Sequence, residues 1–493
     1  MENSIKKFNY SRRHFIKTGS STLAAMHLGV FNFASSLFDH TGNSGKPVVR
    51  VVYVRPDENR FFMGWPGADW DNPEHEKHYT SILNNAAIKL GVDLRINEKP
   101  LWGESETKEF IGNVKNENPD GLLIVSFCLN PGGWPIIDSI AKERGSIPTV
   151  IFSPVGTSFT GHLQETRDIP GVFVGATQHE EWLGEGLRML HTVWKMKNTR
   201  LLIVRGEEMR EETVNNLGTT LCYYPESKLC PLAGEEAITD KVRAIADYYE
   251  NLAKKIIEPD KNDILNAAKM YVTCRTLMEQ ENCDGISINC LPLVSAPIGS
   301  EKHIWQPCLA FSKLRDEGIV GGCEADVHAA LSMRLCHLIA QRPGFMQDPA
   351  PLTVSNTLVG AHCSCGTRLR GFDQATEPFI LRSHSEADRG VSTQVLWPVG
   401  EKVTFMELSD RTNYNKMRVG TGTVVSNIDP DPQSGDAYEE AGGCRTSVEV
   451  TVDNMSDTRD FKGFHQLFIL GDVAQKFRNY GQLANIEVTD MSV

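Results

Sequence analysis

The chain has 493 residues, which allows about three domains at roughly 150 residues each. Lysine and arginine total 50 against 63 aspartate and glutamate residues, so the formal net charge is −13. This acidic balance argues against a nucleic-acid-binding protein, which would present a basic face. With 40% hydrophobic and 23% charged residues, the composition is that of an ordinary globular protein and excludes disorder or a small disulfide scaffold. No apolar run reaches the roughly 18 residues that a membrane-spanning helix needs.

The first 36 residues have the pattern of an export signal. Arg12 and Arg13 lie in a basic head, and an apolar stretch runs from Thr22 to about Ala34. This order is typical of a secretory signal, and the paired arginines resemble the twin-arginine type. We therefore expect a twin-arginine signal peptide at residues 1–36 and a periplasmic protein. Removing the +4 charge of this segment leaves −17 on the exported body. The alternative is a disordered basic terminus.

Residues 47–206 alternate short apolar runs with helical stretches. The predicted strands are 48–54, 121–127, 149–152 and 201–204, and the predicted helices are 75–90, 135–143 and 182–193. Strands that alternate with helices of this length predict a parallel sheet covered on both faces. No Gly-x-Gly-x-x-Gly sequence opens the first helix, which disfavours a dinucleotide site. Trp65 and Trp134 lie in loops after strands, where such sheets bind ligands, although a plain turn explains each loop equally well.

A second α/β segment and a β-rich tail follow. In the second segment we predict a helical stretch over 236–278, a strand over 285–289 and a helix over 327–340. The tail has strand-like runs at 402–406 and 446–452, Gly-rich turns, and a long surface loop at 429–443. The predicted fold class is therefore α/β: two Rossmann-like parallel-sheet domains, followed by a C-terminal antiparallel β domain. The predicted domain boundaries are 47–206, 207–375 and 376–493.

The twelve cysteines do not form a recognisable framework. They are scattered from Cys128 to Cys444 without a Cys-x-x-Cys pair or a regular spacing. Most follow apolar runs, so we interpret them as small buried hydrophobes. Cys363 and Cys365 are too close in sequence to form a tetrahedral zinc pair.

The residues with the clearest chemistry lie between 301 and 465. Glu324 and Asp326 occupy a predicted strand-to-helix junction, Asp348 lies in an apolar setting before prolines, and His465 precedes a strand. Two carboxylates and an imidazole, here Glu324, Asp348 and His465, form a hard ligand set suited to Mn²⁺ or Mg²⁺. The structural alternative is that Asp326 caps the helix and that the other side chains have isolated structural roles.

Longer sequence motifs support the hypothesis of a metal site. Residues 323–333 read Cys-Glu-Ala-Asp-Val-His-Ala-Ala-Leu-Ser-Met, and they resemble the Cys-Glu-Gly-Asp…Ala-Leu-(Ser/Thr)-Met signature of the L-fucose isomerase-like family, which is related to L-arabinose isomerase. Residues 307–312, 316–318 and 356–363 match in the order of the family. The resemblance is strongest over 285–370 and 463–472 and is only architectural over 47–280.

The resemblance implies a function and a site. In this family a glutamate, a second carboxylate and a histidine hold Mn²⁺, and they match Glu324, Asp348 and His465. The two carboxylates would also be the acid/base pair of an aldose–ketose isomerase that acts on a pentose or deoxyhexose, such as L-fucose or L-arabinose, by an enediol mechanism. Weaker candidates for the sugar pocket are Trp65, Trp134, His362 and Arg368.

Two departures from the family keep other functions open. Ala325 replaces the usual glycine, and Gln466 follows the histidine where relatives often carry a histidine or glycine. Export is also unusual, because sugar isomerases of this kind serve cytoplasmic catabolism. The alternatives are an exported enzyme of the same fold that hydrolyses, eliminates or epimerises a glycoside, and a sugar-binding protein without turnover. A trimer or hexamer is expected by analogy.

Overall fold

The computed structural model describes residues 45–63, 68–127, 132–297, 300, 304–428 and 444–493. The predicted export signal, Trp65 and the predicted loop at 429–443 lie outside these residues. The eleven cysteines in the described part are all free, nine of them buried and two partly buried, which confirms their interpretation as small hydrophobes. In the same residues, no helix combines the length and the apolar character that crossing a membrane requires.

The first part of the chain builds a parallel sheet. Its elements are β1 (Val48–Val54), β2 (Arg60–Met63), β3 (Ala68–Asp71), α1 (Asn72–Leu90), β4 (Asp93–Ile96), α2 (Glu104–Glu117), β5 (Gly121–Ser126), α3 (Gly133–Glu143), β6 (Thr149–Pro154), β7 (Val172–Thr177) and α4 (Trp182–Lys197). The five-stranded sheet has the order β4-β1-β5-β6-β7, and β2 pairs with β3 in a separate hairpin. Counted within the sheet, this is the 2-1-3-4-5 order of a doubly wound α/β fold.

Alternating residues of the central strand enter two different cores. Leu123 and Val125 of β5 pack in one apolar cluster with residues of α1 and α4. Leu122 and Ile124 pack in a second cluster with residues of α2 and α3. Because side chains alternate across a strand, this split places helices on both faces of the sheet. Every residue of β5 is buried, as its continuous apolar run predicts.

The second part of the chain builds another mostly parallel sheet. Its elements are β8 (Arg200–Val204), β9 (Arg210–Thr213), β10 (Thr220–Tyr224), α5 (Leu229–Glu235), α6 (Asp240–Leu252), β11 (Lys255–Ile256), α7 (Lys261–Gln280), β12 (Gly285–Ile288), α8 (Leu291–Val294), α9 (Cys308–Asp316), β13 (Val320–Gly322) and α10 (Val327–Ile339). The order is β13-β12-β8-β10-β9, with only the edge strand β9 antiparallel. Strand β8, which we predicted for the first sheet, lies in the middle of the second.

The helical stretch predicted over 236–278 is wrong as a single element. Helix α6 ends at Leu252, and α7 begins only after Pro259 and Asp260. The Asp260 carboxylate accepts the backbone N–H groups of Asn262 at 2.7 Å and Asp263 at 2.9 Å, which caps a new helix. The residue before a proline is disfavoured in a helix, so the break follows from the local sequence.

The last part of the chain builds an antiparallel sheet. Its elements are β14 (Phe345–Met346), β15 (Asp348–Leu352), β16 (Thr357–His362), β17 (Phe379–Arg382), β18 (Ser392–Val395), β19 (Lys402–Leu408), β20 (Lys416–Asn427), β21 (Thr446–Val452), β22 (Leu467–Leu470), α11 (Ala474–Ala484) and β23 (Glu487–Thr489). The order of the large sheet is β14-β22-β19-β20-β21-β16-β15, with β23 parallel to β20. Strands β11, β17 and β18 form a small sheet of their own.

The predicted fold class is confirmed: two parallel α/β sheets are followed by a mainly antiparallel one. The large antiparallel sheet takes strands from both sides of residue 375. The domain boundaries themselves remain a prediction.

His337, one of the two buried histidines of α10, makes stability depend on pH. His337 is 4% exposed, and its Nε2 lies 2.9 Å from the carbonyl oxygen of Pro343. Burial lowers the pKa of His337 to about 3. Because the folded pKa lies below the unfolded value, the unfolded chain takes up the proton first as the pH falls. The free energy of unfolding should therefore decrease from about pH 6.5 toward about pH 3, by up to about 1.4 kcal/mol per pH unit.

Urea unfolding at about pH 7 and about pH 5 tests this expectation. We expect His337→Gln to reduce the loss of stability on acidification, because glutamine does not titrate. The control is His179→Gln, since the side chain of His179 is 66% exposed. Equal pH dependence in the unmodified protein and in His337→Gln would contradict the assignment.

Candidate active site

The candidate site lies at the carboxyl end of the second parallel sheet, where such folds bind ligands. Strand β13 ends at Gly322, Glu324 follows, and α10 begins at Val327. Gly321 lets this strand lie close to α9, because a Cβ there would come within 2.8 Å of the Phe311 Cα atom. A short strand followed at once by a helix therefore places Glu324 at the sheet edge.

Three residues of the site have left-handed backbone conformations. The φ angles are +59° at Glu324, +50° at Ala325 and +62° at His465. For a residue other than glycine this conformation costs about 1–2 kcal/mol, and such strain concentrates at functional sites. Glycine adopts the positive φ of Ala325 without strain, and glycine is the residue at this position in the L-fucose isomerase-like signature.

The structure brings Glu324, Asp348 and His465 together, as the sequence predicts, and adds His362. Nε2 of His465 lies 3.2 Å from Oδ1 of Asp348 and 3.7 Å from Oε2 of Glu324. Nε2 of His362 lies 3.7 Å from Oε1 of Glu324. Asp348 opens β15, and the register pairs it with Ala361, next to His362 in β16. Four side chains from three separate chain segments thus converge on one point.

The donor atoms at this point suit a divalent cation. Oδ1 of Asp348 and the Nε2 atoms of His362 and His465 are buried without a well-formed hydrogen bond, and Oδ1 of Asp348 has only its 3.2 Å contact with Nε2 of His465. Glu324, His362 and His465 each present a ligand atom within 4.8 Å of the other two. Buried polar atoms without partners cost about 1–3 kcal/mol each, which a shared cation would offset. Carboxylate oxygen and imidazole nitrogen suit a divalent cation such as Mn²⁺ or Mg²⁺. That these side chains are metal ligands remains a prediction.

Asp326 performs two tasks at once. Its Oδ1 accepts the backbone N–H of Ala329 at 3.0 Å, which caps α10 as predicted from the sequence. Its Oδ2 lies 2.8 Å from Nδ1 of His465, so the carboxylate also orients the imidazole. Burial disfavours the ionised carboxyl group, but the hydrogen bond from His465 holds the pKa of Asp326 well below its usual range. An imidazole held this way by a carboxylate directs its Nε2 toward the candidate metal position.

The electrostatics of the site favour a positive charge among its carboxylates. Burial alone would lower the pKa of His465, but the hydrogen bond to Asp326 and the nearby Asp348 raise it to about 9. Burial raises the pKa of Glu324. The nearby carboxylates thus stabilise a proton on His465, and their negative charge would stabilise a bound divalent cation in the same way.

A cavity of about 320 Å³ adjoins these residues. Glu324, Asp326 and His465 line one part of it, and Phe464 contributes an aromatic side chain that is 48% exposed. The other lining residues are Arg205, Ala325, Val327, His328, Arg411 and Tyr414. Its volume lies at the small end of the range for ligand pockets, and its lining is polar with one exposed aromatic face.

The four weaker candidates for the sugar pocket do not share one location. His362 joins the candidate metal ligands. Trp134 is only 3% exposed, and its Nε1 donates to the carbonyl oxygen of Thr157 at 2.8 Å within the second apolar cluster of the first sheet. Arg368 is 9% exposed, and its Nη1 donates to backbone carbonyl oxygens, including that of Gln374 at 2.8 Å. Neither Trp134 nor Arg368 lines the cavity, and Trp65 lies outside the described residues.

Three cavity residues are not predicted from the sequence: Phe464, Arg205 and Arg411. Phe464 immediately precedes His465, so its place in the same motif was an available signal. Arg205 directly follows a predicted strand, and a cation at the carboxyl end of a parallel strand was a second signal. Arg411 lies in the turn between β19 and β20, and nothing in its local sequence distinguishes it.

Comparison with known proteins adds an independent indication. No model of a known protein family matches the chain. Curated relatives named sulfoquinovose isomerase do match it. The protein from Alkalicoccus urumqiensis is 22% identical over 409 residues, which cover 76% of this chain and 86% of the relative. Those from Priestia aryabhattai and Priestia megaterium are each 22% identical over 426 residues, 79% of this chain and 90% of each relative. The similarity indicates an enzyme of the sugar-isomerase kind.

Removal of the Glu324 carboxylate should remove a ligand from the candidate metal centre. We expect Glu324→Gln to weaken Mn²⁺ binding by more than about 100-fold, measured by calorimetric titration of the metal-free protein. The control is Glu104→Gln, which alters a carboxylate that is 84% exposed and paired with Lys108 on α2. Unchanged Mn²⁺ affinity in Glu324→Gln would exclude Glu324 as a ligand.

The two tasks of Asp326 can be separated by substitution. Asparagine caps a helix as well as aspartate does, but it lacks the charge that orients His465. We expect Asp326→Asn to lose less of the thermal midpoint of unfolding than Asp326→Ala, because it keeps the cap, while Mn²⁺ affinity falls by about 10–100-fold. Asp326→Ala should lose both the cap and the affinity. A stable Asp326→Asn protein that binds Mn²⁺ normally would show that Asp326 has only a capping role.

Proposed function

We propose that this protein is a metal-dependent aldose–ketose isomerase that acts through an enediol. The observation that carries the proposal is the convergence of Glu324, Asp348, His362 and His465 next to a cavity that Glu324 and His465 line. The similarity to curated sugar isomerases over about three quarters of the chain supports the same function.

Glu324, Asp348 and His465, joined by His362, would hold the cation. When bound there, a divalent ion such as Mn²⁺ or Mg²⁺ would polarise the oxygens on C1 and C2 of an open-chain sugar. In this role both imidazoles are neutral. Nδ1 of His465 donates to Asp326 at 2.8 Å, and Nδ1 of His362 accepts the backbone N–H of Cys363 at 3.0 Å, so each ring has a second contact that fixes its orientation.

The carboxylates would move the proton between the two carbons. One carboxylate would remove the proton from C2 and leave an enediolate, the hydroxyl proton would pass from O2 to O1, and return of the first proton to C1 would give the ketose. Glu324 is suited to this role because it lines the cavity and because burial raises its pKa toward the range in which a group both accepts and releases a proton. The side chain of Asp348 is 40% exposed, so it is accessible for the partner role.

Two similarities bear on the identity of the sugar. The motifs resemble those of the L-fucose isomerase-like family, which favours a deoxyhexose or pentose such as L-fucose or L-arabinose. The curated relatives are named for sulfoquinovose, a sugar with a sulfonate group. L-Fucose, L-arabinose and sulfoquinovose are all sugars of five or six carbons, and the cavity has a volume of about 320 Å³.

Two further proposals come from the sequence alone. The paired Arg12 and Arg13 support export by the twin-arginine route to the periplasm. The family resemblance supports a homo-oligomer, with a trimer or hexamer by analogy. A folded-export route suits an enzyme that acquires its metal before it leaves the cytoplasm.

Isomerisation in D₂O tests the proposed reaction. Mn²⁺-loaded protein is incubated with L-fucose, L-arabinose, sulfoquinovose and aryl glycosides and followed by NMR. We expect a ketose to form from one of the free sugars, with deuterium entering C1 or C2 because the transferred proton exchanges with solvent. Release of the aglycone from a glycoside would instead support the glycoside-cleaving alternative. Calorimetric affinity for a sugar without any change by NMR would support a binding protein.

The Asp348 carboxylate is expected to be essential in the same assay. Asp348→Asn should reduce turnover by at least about 100-fold, because it removes both a proposed ligand and a proposed proton acceptor. The control is Asp168→Asn, since the side chain of Asp168 is 77% exposed. Full turnover in Asp348→Asn would remove this residue from the catalytic machinery.

A further inference from the structure

Three of the buried cysteines lie together beside the candidate active site. The sulfurs of Cys308 and Cys363 and a ring nitrogen of His384 lie within 4.8 Å of one another. The sulfur of Cys363 also lies within 4.8 Å of the sulfur of Cys323. Cys323 is fully buried, and the other three side chains are at most 4% exposed. Packing as small apolar side chains gives no reason for three thiols and an imidazole to converge on one another.

The four side chains come from four separate segments of the chain. Cys308 is the first residue of α9, and Cys323 directly follows β13. Cys363 directly follows β16, and His384 lies two residues after β17. Cys323 is also the residue before Glu324, where the backbone has its left-handed conformation. A ligand bound by all four side chains would therefore hold the second parallel sheet, α9 and the antiparallel strands together at this point.

A buried positive charge beside the sulfurs is an independent indication of a ligand. Arg315 is fully buried, and its guanidinium contacts the carbonyl oxygens of Gly321 and Ser364 and, at 3.9 Å, the sulfur of Cys323. Among the described residues, no carboxylate forms an ion pair with this guanidinium. A buried charge is costly unless an opposite charge compensates it. Of the three atoms that Arg315 contacts, only the sulfur can become anionic.

The donor atoms suit zinc rather than the harder Mn²⁺ or Mg²⁺. Three cysteines and one histidine are a common ligand set of structural zinc sites, with Zn–S bonds of about 2.3 Å and Zn–N bonds of about 2.0–2.1 Å. Such bonds place the ligand atoms of a tetrahedron roughly 3.5–4 Å apart, so small side-chain movements would close this cluster around the ion. Zn²⁺ and three thiolates have a net charge of 2 − 3 = −1, and the adjacent charge of Arg315 balances it.

We propose that Cys308, Cys323, Cys363 and His384 form a second metal site, which binds Zn²⁺ and has a structural role. The three thiols release their protons to solvent when the ion binds, because the thiolate is the ligand. Zn²⁺ at this site fixes the end of β13 and so stabilises the strained backbone at Glu324. The site is distinct from the proposed Mn²⁺ centre, since its ligands are mainly sulfur, and it does not depend on the isomerase function.

The absorption spectrum of the Co²⁺-loaded protein tests the ligand set. Thiolate ligands give Co²⁺ an intense near-ultraviolet charge-transfer band, which carboxylate and imidazole ligands do not give. The reduced, metal-free, full-length protein is titrated with Co²⁺ under nitrogen and then with Zn²⁺ or Mn²⁺. We expect Co²⁺ to produce the band and Zn²⁺ to remove it, whereas an excess of Mn²⁺ leaves it in place because thiolates favour the softer ion.

Substitutions separate this site from the other proposed centre. Cys308→Ala should abolish most of the band and weaken Zn²⁺ binding by more than about 100-fold, because it removes a ligand. Glu324→Gln should retain the band, since it alters only the Mn²⁺ centre. His384→Gln should keep a charge-transfer band from the three sulfurs but bind Zn²⁺ more weakly. The matched control is Cys274→Ala, which removes the thiol of another fully buried cysteine, on α7.

A measurement on the unmodified protein covers the case in which Cys308→Ala does not fold. X-ray absorption at the zinc edge, with about one equivalent of Zn²⁺ bound, should show sulfur at about 2.3 Å. Only nitrogen and oxygen neighbours at about 2.0–2.2 Å would overturn the site. A Co²⁺ complex without the charge-transfer band, or a band that Cys308→Ala leaves unchanged, would also overturn it and assign the three cysteines to packing alone. Each of these results leaves the isomerase proposal to its own assay in D₂O.

Discussion

The hydrogen bond between Asp326 and His465 is the contact on which the site depends. Asp326 begins a helix at the edge of the second parallel sheet, and His465 precedes a strand of the antiparallel sheet, 139 residues later in the chain. The start of the helix fixes Glu324, whereas Asp348 and His362 lie on strands of the antiparallel sheet. The bond therefore sets the distance between two groups of side chains that have no local reason to meet. Any displacement of one sheet against the other would separate Glu324 from the imidazoles.

The strained backbone around Glu324 is held by buried polar contacts behind it. Arg315 is fully buried in α9, and its guanidinium donates to the carbonyl oxygens of Gly321 at 2.8 Å and Ser364 at 2.6 Å. Its third contact is the sulfur of Cys323 at 3.9 Å. A buried guanidinium must satisfy its donors, so it fixes the end of β13 and the segment after His362 in one arrangement. Left-handed residues persist where surrounding contacts determine the backbone more strongly than local preference does.

The sequence predicted much of this arrangement because several signals were local. The cap at Asp326 and the helix after it follow from residues within one turn, and the apolar runs of the parallel sheets follow from period and length. The metal set could be predicted only as residue types and by resemblance, since the distances from Glu324 to Asp348 and His465 depend on strand register. His362 was assigned to the sugar pocket because nothing local shows that the β15–β16 pairing places it beside Asp348. Strand β8 was misplaced for the same reason: an apolar run does not reveal which sheet receives it.

The candidate ligands and the two cavity arginines lie in different parts of the backbone, so the two groups can vary separately. Glu324, Asp348 and His362 lie on, or directly follow, strands of the two sheets, and their separation is fixed by backbone pairing. Arg205 and Arg411 instead lie in connections, one after β8 and one in the turn before β20, where substitution changes little of the core. Substitution in such connections leaves the candidate ligands in place, because the paired strands set the separation of those ligands. The fold therefore fixes the geometry of the candidate ligand set, and the two connections set part of the charge that lines the cavity.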